Sequence, residues 1–266
     1  MPKAANRPAG VARVHQRVSK NYSKWFLSKV IRACKDFQMI ANGDRIAVGL
    51  SGGKDSSSLL FILSLLRQRL PVDFSLVPIF LDLGYGMDMS PMESYCRELG
   101  LKLHIEKTLI GKIVFEVRQE TNPCSLCANL RRGALNQSAK DLGCNKVAVG
   151  HHLDDAAQTL IMNFLYNGRL ATFPPRIDYQ RAQITLIRPL VYVEGKVLAA
   201  LARKENLPVV PNLCPAQGNT KRQEAAQIIS MLEANHPYLH HRFYTALRGT
   251  SGEGFWKDLI AKYQQG

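Results

Sequence analysis

Ile46-Ala47-Val48-Gly49-Leu50-Ser51-Gly52-Gly53-Lys54-Asp55-Ser56 joins an apolar, β-rich run to a glycine-rich turn, and a helical pattern follows it to residue 69. Strand, turn and helix in that order predict a phosphate cradle. Gly52 and Gly53 let the backbone approach a polyphosphate closely, while Ser51, Ser56 and the amides opening the helix donate to its oxygens. The spacing excludes two familiar nucleotide loops. A Walker loop needs four residues between its first glycine and Gly-Lys, with Ser or Thr next, whereas here three intervene and Asp55 follows Lys54; a dinucleotide loop needs G-x-G-x-x-G. An acid inside a phosphate loop makes sense when it holds Mg²⁺ against the phosphates, because bare carboxylate and phosphate repel.

S-G-G-K-D-S resembles the pyrophosphatase loop of the ATP-pyrophosphatase (PP-loop) superfamily, whose members activate a carbonyl oxygen as an adenylate and release pyrophosphate. The resemblance implies ATP as substrate on Ser51, Gly52, Gly53, Lys54, Asp55 and Ser56, with Asp55 on Mg²⁺. On the loop alone it spans amidating and sulfur-inserting enzymes alike.

Working outward, β-rich runs at 46–50, 74–81, 101–106, 146–149 and 184–187 alternate with helical patterns at 56–69, 90–99, 126–142, 153–166 and 194–206. This alternation predicts an α/β fold, a doubly wound parallel sheet covered on both faces, with ligand beyond the carboxyl ends of the strands. Leu81 and Asp82 end the second run and are expected to meet the nucleotide, although Asp82 also suits a turn cap. Gly150, ending the fourth run, is expected at the same edge. Three parts are expected: a basic helical N-terminal extension over 1–42, the nucleotide domain over 43–224, and a C-terminal helical segment over 225–266.

The formal charge is +14, and residues 1–45 carry ten Lys or Arg against two acids. With Tyr22, Trp25 and Phe26 among them, this segment suits an RNA backbone and stacking bases, and equally a solvated basic helix. No run of eighteen apolar residues occurs, and the basic N-terminus lacks the apolar stretch of a signal peptide, so a cytoplasmic protein without a membrane segment is expected. The six cysteines then read as thiols or metal ligands rather than a disulfide framework.

Cys124 and Cys127 form C-x-x-C at the start of a helix, a spacing that serves a redox pair, half a zinc site or most of an iron–sulfur site. No second close pair completes a zinc site. Cys214, among turn residues, is the remaining loop cysteine, and three thiolates would leave one iron of a cubane open. Cys34, Cys96 and Cys144 sit among apolar neighbours and read as core thiols. Asp154 and Asp155 open a helix after a strand end, where one can hold Mg²⁺ or act on substrate and either can serve as N-cap. Arg131 and Arg132 follow the C-x-x-C and suit phosphate or RNA, or a charged surface.

Cys124-Ser-Leu-Cys127 with Leu130-Arg-Arg-Gly133, Gly150-His-His-Leu-Asp-Asp155 with Gln158-Thr159, Phe173-Pro-Pro175, Ile187-Arg-Pro-Leu190 and Asn212-Leu-Cys214 together resemble the tRNA 2-thiocytidine synthetases (TtcA-type) from about residue 45 to 224. The resemblance implies a [4Fe-4S] cluster on Cys124, Cys127 and Cys214. It further implies a catalytic role for Asp55 and the Asp154–Asp155 pair, RNA contact at Arg131 and Arg132, and sulfur insertion at C2 of an adenylated cytidine, position 32 of the anticodon loop. The implied partners are tRNA, ATP and a sulfur donor, either a cysteine desulfurase system or sulfide; a homodimer through the N-terminal helix is a further expectation. The chain departs from the pattern in its length and in Leu81-Asp-Leu-Gly-Tyr-Gly86. A sister thiolase acting on another base or a small molecule, or an iron–sulfur RNA-binding or redox-sensing protein, are the competing readings.

Overall fold

The computed structural model describes residues 22–119, 123–216 and 220–264. Its strands are β1 (Asp44–Leu50), β2 (Phe74–Asp82), β3 (His104–Lys107), β4 (Lys146–Ala148), β5 (Arg176–Tyr179) and β6 (Ile184–Ile187). They form one sheet in the order β3-β2-β1-β4-β6-β5. β1 is central and parallel to both neighbours, with Ile46 opposite Leu76 on one side and Lys146 on the other. The order reverses at β1, so the crevice between the carboxyl ends of β1 and β4 is the topological switch point where such sheets take ligands.

The sheet is not wholly parallel. β5 runs antiparallel to β6, pairing Ile177 with Leu186. This strand escaped the sequence reading because it is four residues long, contains Asp178 and follows Pro174-Pro175. The return turn uses Gln183 at φ 55°, in the left-handed region.

The helices are α1 (Ser28–Asp36, entered through a π-helical turn at Ser23–Leu27), α2 (Lys54–Arg69), α3 (Ser90–Glu98), α4 (Pro123–Asp141), α5 (Leu153–Asn167), α6 (Gly195–Lys204), α7 (Lys221–Asn235), α8 (Leu239–Gly249) and α9 (Lys257–Gln264), with a shorter helical stretch over residues 110–118. α2 is buried from Ser56 to Leu66, as a helix trapped between sheet and outer helices must be, and over that stretch carries only apolar residues and serines. α4 covers the opposite face, over Ala47, Ile79 and Val147. Described residues of both end segments share the main core: Phe26 and Val30 lie with Leu247 and Trp256 against Leu59 and Ile62.

That packing corrects the reading of the N-terminal aromatics. Tyr22 and Phe26 are buried and Trp25 packs against them, capped by Lys204 Nζ at 4.9 Å from the Tyr22 ring and 5.4 Å from the Trp25 ring. Removing large rings from water outweighs leaving them available to bases, so they are anchors of the core. Half of the ten basic residues of the segment, from Lys3 to Lys20, lie outside the described residues. Among the described residues no helix is long and apolar enough to cross a membrane.

Candidate active site

The phosphate loop organises itself before any ligand arrives. Gly52 holds φ +80°, and a Cβ there would stand 3.1 Å from Met87 and 3.2 Å from Val210, so only glycine fits both the backbone and the space. Val210 N donates to Gly52 O at 2.8 Å, tying the loop to the segment that leads towards Cys214. Ser56 Oγ donates to Gly53 O at 2.8 Å, and Ser51 N reaches Ser56 Oγ at 3.2 Å. Gly53 caps α2 without a side chain, which leaves the first amides of the helix and its positive end for an anion. Gly150 butts against that end: a Cβ would meet Asp55 C at 3.1 Å and Ser56 N at 3.2 Å.

A cavity of about 620 Å³ opens at the switch point. The loop side supplies Ser51, Asp55, Ser56 and Gly150, β2 supplies Leu81, and α4 supplies Arg131 and Arg132. Gly52, Gly53 and Lys54 are not on the lining; Lys54 Nζ turns onto both Asp55 carboxylate oxygens at 2.9 Å. Asp82 is not on the lining, and its Oδ1 accepts from Gly84 N at 2.9 Å, as a turn cap does.

The two acids of α5 have different surroundings. Asp155 lines the cavity, where its Oδ2 accepts from His152 N at 3.0 Å and its Oδ1 from Arg222 Nη1 at 2.7 Å. It therefore closes the capping box of α5 from the N3 position, with His152 rather than either acid as N-cap. Asp154 points away, taking Gly195 N at 2.7 Å and His240 Nε2 at 3.1 Å. Burial works against its charge, but His152, His240 and the Gly195 amide outweigh it and hold the carboxyl far below the usual carboxylate range. His152 stands among Asp154, Asp155 and Asp55; burial opposes its protonation, and the three carboxylates raise its pKa nevertheless.

Sequence reasoning assigned no role to Arg188, Phe173 or Tyr179 on the opposite wall. Arg188 is 7% exposed, lies 4.7 Å over the Phe173 ring, and donates through Nη1 to Pro174 O at 2.7 Å and through Nε to His151 Nδ1 at 3.2 Å. Burial and then Arg188 push the His151 pKa down to about 4, leaving a neutral ring that accepts at Nδ1 and carries its proton on Nε2. Phe173, Tyr179 and three arginines thus give the cavity stacking surfaces and positive charge.

None of the thiols lines the cavity, but Cys127 immediately precedes the lining residue Ala128 on α4. Cys124 is exposed, Cys127 and Cys214 are half-buried, and Cys34, Cys96 and Cys144 are buried. Burial raises the Cys127 pKa, Arg131 lowers it, and Cys214 and Cys124 raise it again, so each of those two sulfurs lies within electrostatic reach of Cys127. Tyr85 reaches the same place from the β2 end. Its ring packs on Gly111, where a Cβ would stand 2.8 Å from it, and its buried hydroxyl lacks a hydrogen-bond partner of good geometry. Burial, then Cys214 and Cys127, push that phenol up to about 12. Among the described residues no three His, Cys, Asp or Glu side chains converge tightly enough for a single metal ion. Cys127 and Cys214 act on the Tyr85 phenol, and a set of soft sulfur donors suits an iron–sulfur group, while Mg²⁺ needs only one or two carboxylates beside substrate phosphates.

Fold and loop define a class: a PP-loop domain model matches residues 26–222, and the chain belongs to that family of ATP-binding proteins. The chain shares 42% identity over 220 residues with the tRNA-cytidine(32) 2-sulfurtransferase of Syntrophotalea carbinolica, covering 81% of this chain and 85% of that one. It shares 38% over 250 residues with the like-named protein of Pelobacter propionicus, covering 92% and 93%. Within the PP-loop family the chain is a member of the tRNA-cytidine(32) 2-sulfurtransferases. Its fold is also that of the U34-tRNA thiolase NcsA from Methanococcus maripaludis, solved with its [4Fe-4S] cluster, at TM-score 0.67 and 24% identity over 90% of this chain and 78% of that one.

Proposed function

We propose that the chain adenylates the C2 oxygen of a tRNA pyrimidine, cytidine 32 of the anticodon loop, and replaces that oxygen with sulfur. One observation carries the reading: the phosphate loop and the helix bearing C-x-x-C border a single cavity. A C2 oxygen is a poor leaving group until it is bonded to phosphorus, and a site that both activates and replaces it must put ATP and the sulfur donor on the same base.

The amides opening α2, with Ser51 and Ser56, hold the phosphates, and Asp55 would hold Mg²⁺ against them. The C2 oxygen attacks the α-phosphorus and pyrophosphate leaves, its developing charge facing the α2 terminus and the arginines. Asp155, which lines the cavity where Asp154 does not, is the acid we assign to the reacting base. Phe173 and Tyr179 offer the flipped pyrimidine a stacking surface, and Arg131 and Arg132 at the mouth meet tRNA phosphates. Cys124, Cys127 and Cys214 would hold a [4Fe-4S] cluster, which when bound supplies sulfide to C2 as AMP departs with the original oxygen. The sulfur donor that replenishes it is a cysteine desulfurase system or free sulfide, and the setting is cytoplasmic.

Nucleoside analysis of tRNA from cells lacking the gene tests this reading. Loss of 2-thiocytidine is expected, and its unchanged level would refute the assignment.

A further inference from the structure

His240 belongs to the C-terminal segment, yet it reaches the cavity's supporting shell. It is 8% exposed, and its ring spans acids from two other helices: Nδ1 lies 3.0 Å from Glu233 Oε1 and Nε2 lies 3.1 Å from Asp154 Oδ1. Asp154 carries the row on by charge rather than by a well-formed hydrogen bond: His152 Nδ1, which has no hydrogen-bond partner of good geometry, stands 3.3 Å from its Oδ2, and His152 Nε2 stands 3.5 Å from Asp155 Oδ2 and 3.8 Å from Asp55 Oδ1. Four side chains, Glu233, His240, Asp154 and His152, thus connect α7 and α8 to the two acids that line the cavity.

The turn that delivers His240 is strained. Tyr238, 79% exposed, enters α8 at φ +70°, where a bulky residue is disfavoured. Burying a row of charged groups is also a poor route to stability, since apolar packing of the same volume does as well or better. Both costs have a return if the row fixes a geometry. We infer that His240 is a positioning residue for the acids of the active site: bridging Glu233 and Asp154, it locks the Asp154 carboxylate, which sets the His152 ring between Asp155 and Asp55. The C-terminal helices then complete the site.

This inference rests on adenylation as the proposed reaction, so AMP release by the unaltered full-length protein with ATP, Mg²⁺ and tRNA is measured first; its absence counts against that reaction and leaves His240 to the binding measurement below. Partners that orient groups of a site typically contribute ten- to a hundredfold, so H240A is expected to lower kcat for AMP formation about tenfold or more with KM for ATP little changed. Because His240 acts through Asp154, adding H240A to D154N should cost little beyond D154N alone. H240Q, whose amide can still donate to Asp154, should recover most of the loss. Calorimetric titration with Mg²⁺ and a non-hydrolysable ATP analogue gives a second reading: H240A should weaken Mg²⁺-dependent binding severalfold, leaving metal-free binding unchanged. If H240A does not fold, E233Q, which keeps the ring and removes one partner, is expected to show the same pattern more weakly. A kcat within twofold of the unaltered protein, losses that multiply in the double variant, or metal-dependent binding that does not change would each overturn the inference.

Discussion

Arg222 Nη1 lies 2.7 Å from Asp155 Oδ1, so the first turn of α7 supplies the counter-charge of a cavity acid that α5 carries. The arginine side chain is 43% exposed and the carboxylate 18%. A pair this open contributes about 0–1 kcal/mol to stability. Its weight lies in orienting Asp155, and R222A is expected to slow AMP formation about tenfold while the melting temperature moves by only a few degrees. Parallel activity and melting measurements check it: a large drop in melting temperature with normal turnover would contradict the assignment.

Gly150 gives a sharper steric test. The added methyl of G150A would press on the backbone of Asp55 and Ser56 from 3.1–3.2 Å, with no flexible side chain to yield. Overpacking of this kind costs about 1–3 kcal/mol, and here the strain falls on the phosphate-binding turn. ATP affinity, measured by calorimetric titration, should therefore fall along with stability. Undiminished affinity would mean that the turn is not part of the nucleotide site.

Cysteine replacements should divide into two groups. C124S, C127S and C214S should each lose most of the roughly four irons per chain that a cubane carries, and with them the broad absorption near 400 nm expected of such a cluster. C34A, C96A and C144A should keep both, because those thiols are buried in the core. Their cost should appear in stability instead. Iron retained in C214S would break the assignment of the third ligand.

The contribution of His151 to stability should fall on mild acidification, against the opposite contributions of His152 and His240, whose pKa values are raised. His151 is held at a pKa of about 4 by burial and Arg188, whereas an unfolded histidine titrates near 6.5. Between those values the unfolded chain binds the proton and the folded chain does not, so the stability due to neutral His151 is complete above about pH 6.5 and declines as pH drops towards 4. H151N should flatten this part of the profile when urea midpoints at pH 7.5 and 5 are compared. An equal decline in H151N would place the effect elsewhere.

Local features were legible in the sequence. The loop over Ser51–Ser56 declares itself because strand, glycine turn and helix start are consecutive, and the sheet follows from the alternation around it. Tyr22 and Phe26 were misleading for a physical reason: they share their segment with lysines and arginines, and composition does not say which side of a helix faces the core. β5 was missed because its pairing partner, not its own residues, makes it a strand. Arg188 stood in a noted motif, but its role appears only when Phe173 and His151 close around it. Arg222, Glu233 and His240 carry no local signal at all; their roles come from helices folding back onto α5 from 67 to 86 residues away in sequence.

The central claim is that one cavity couples oxygen activation to sulfur insertion, and a single reaction tests it most directly. Protein purified without oxygen is given ATP, Mg²⁺, sulfide and tRNA lacking 2-thiocytidine, and AMP and thiolated nucleoside are counted together. The account predicts 2-thiocytidine at position 32 with about one AMP for each sulfur inserted, and neither product from D55A. Thiolation without ATP, or AMP formation that D55A leaves intact, would contradict it.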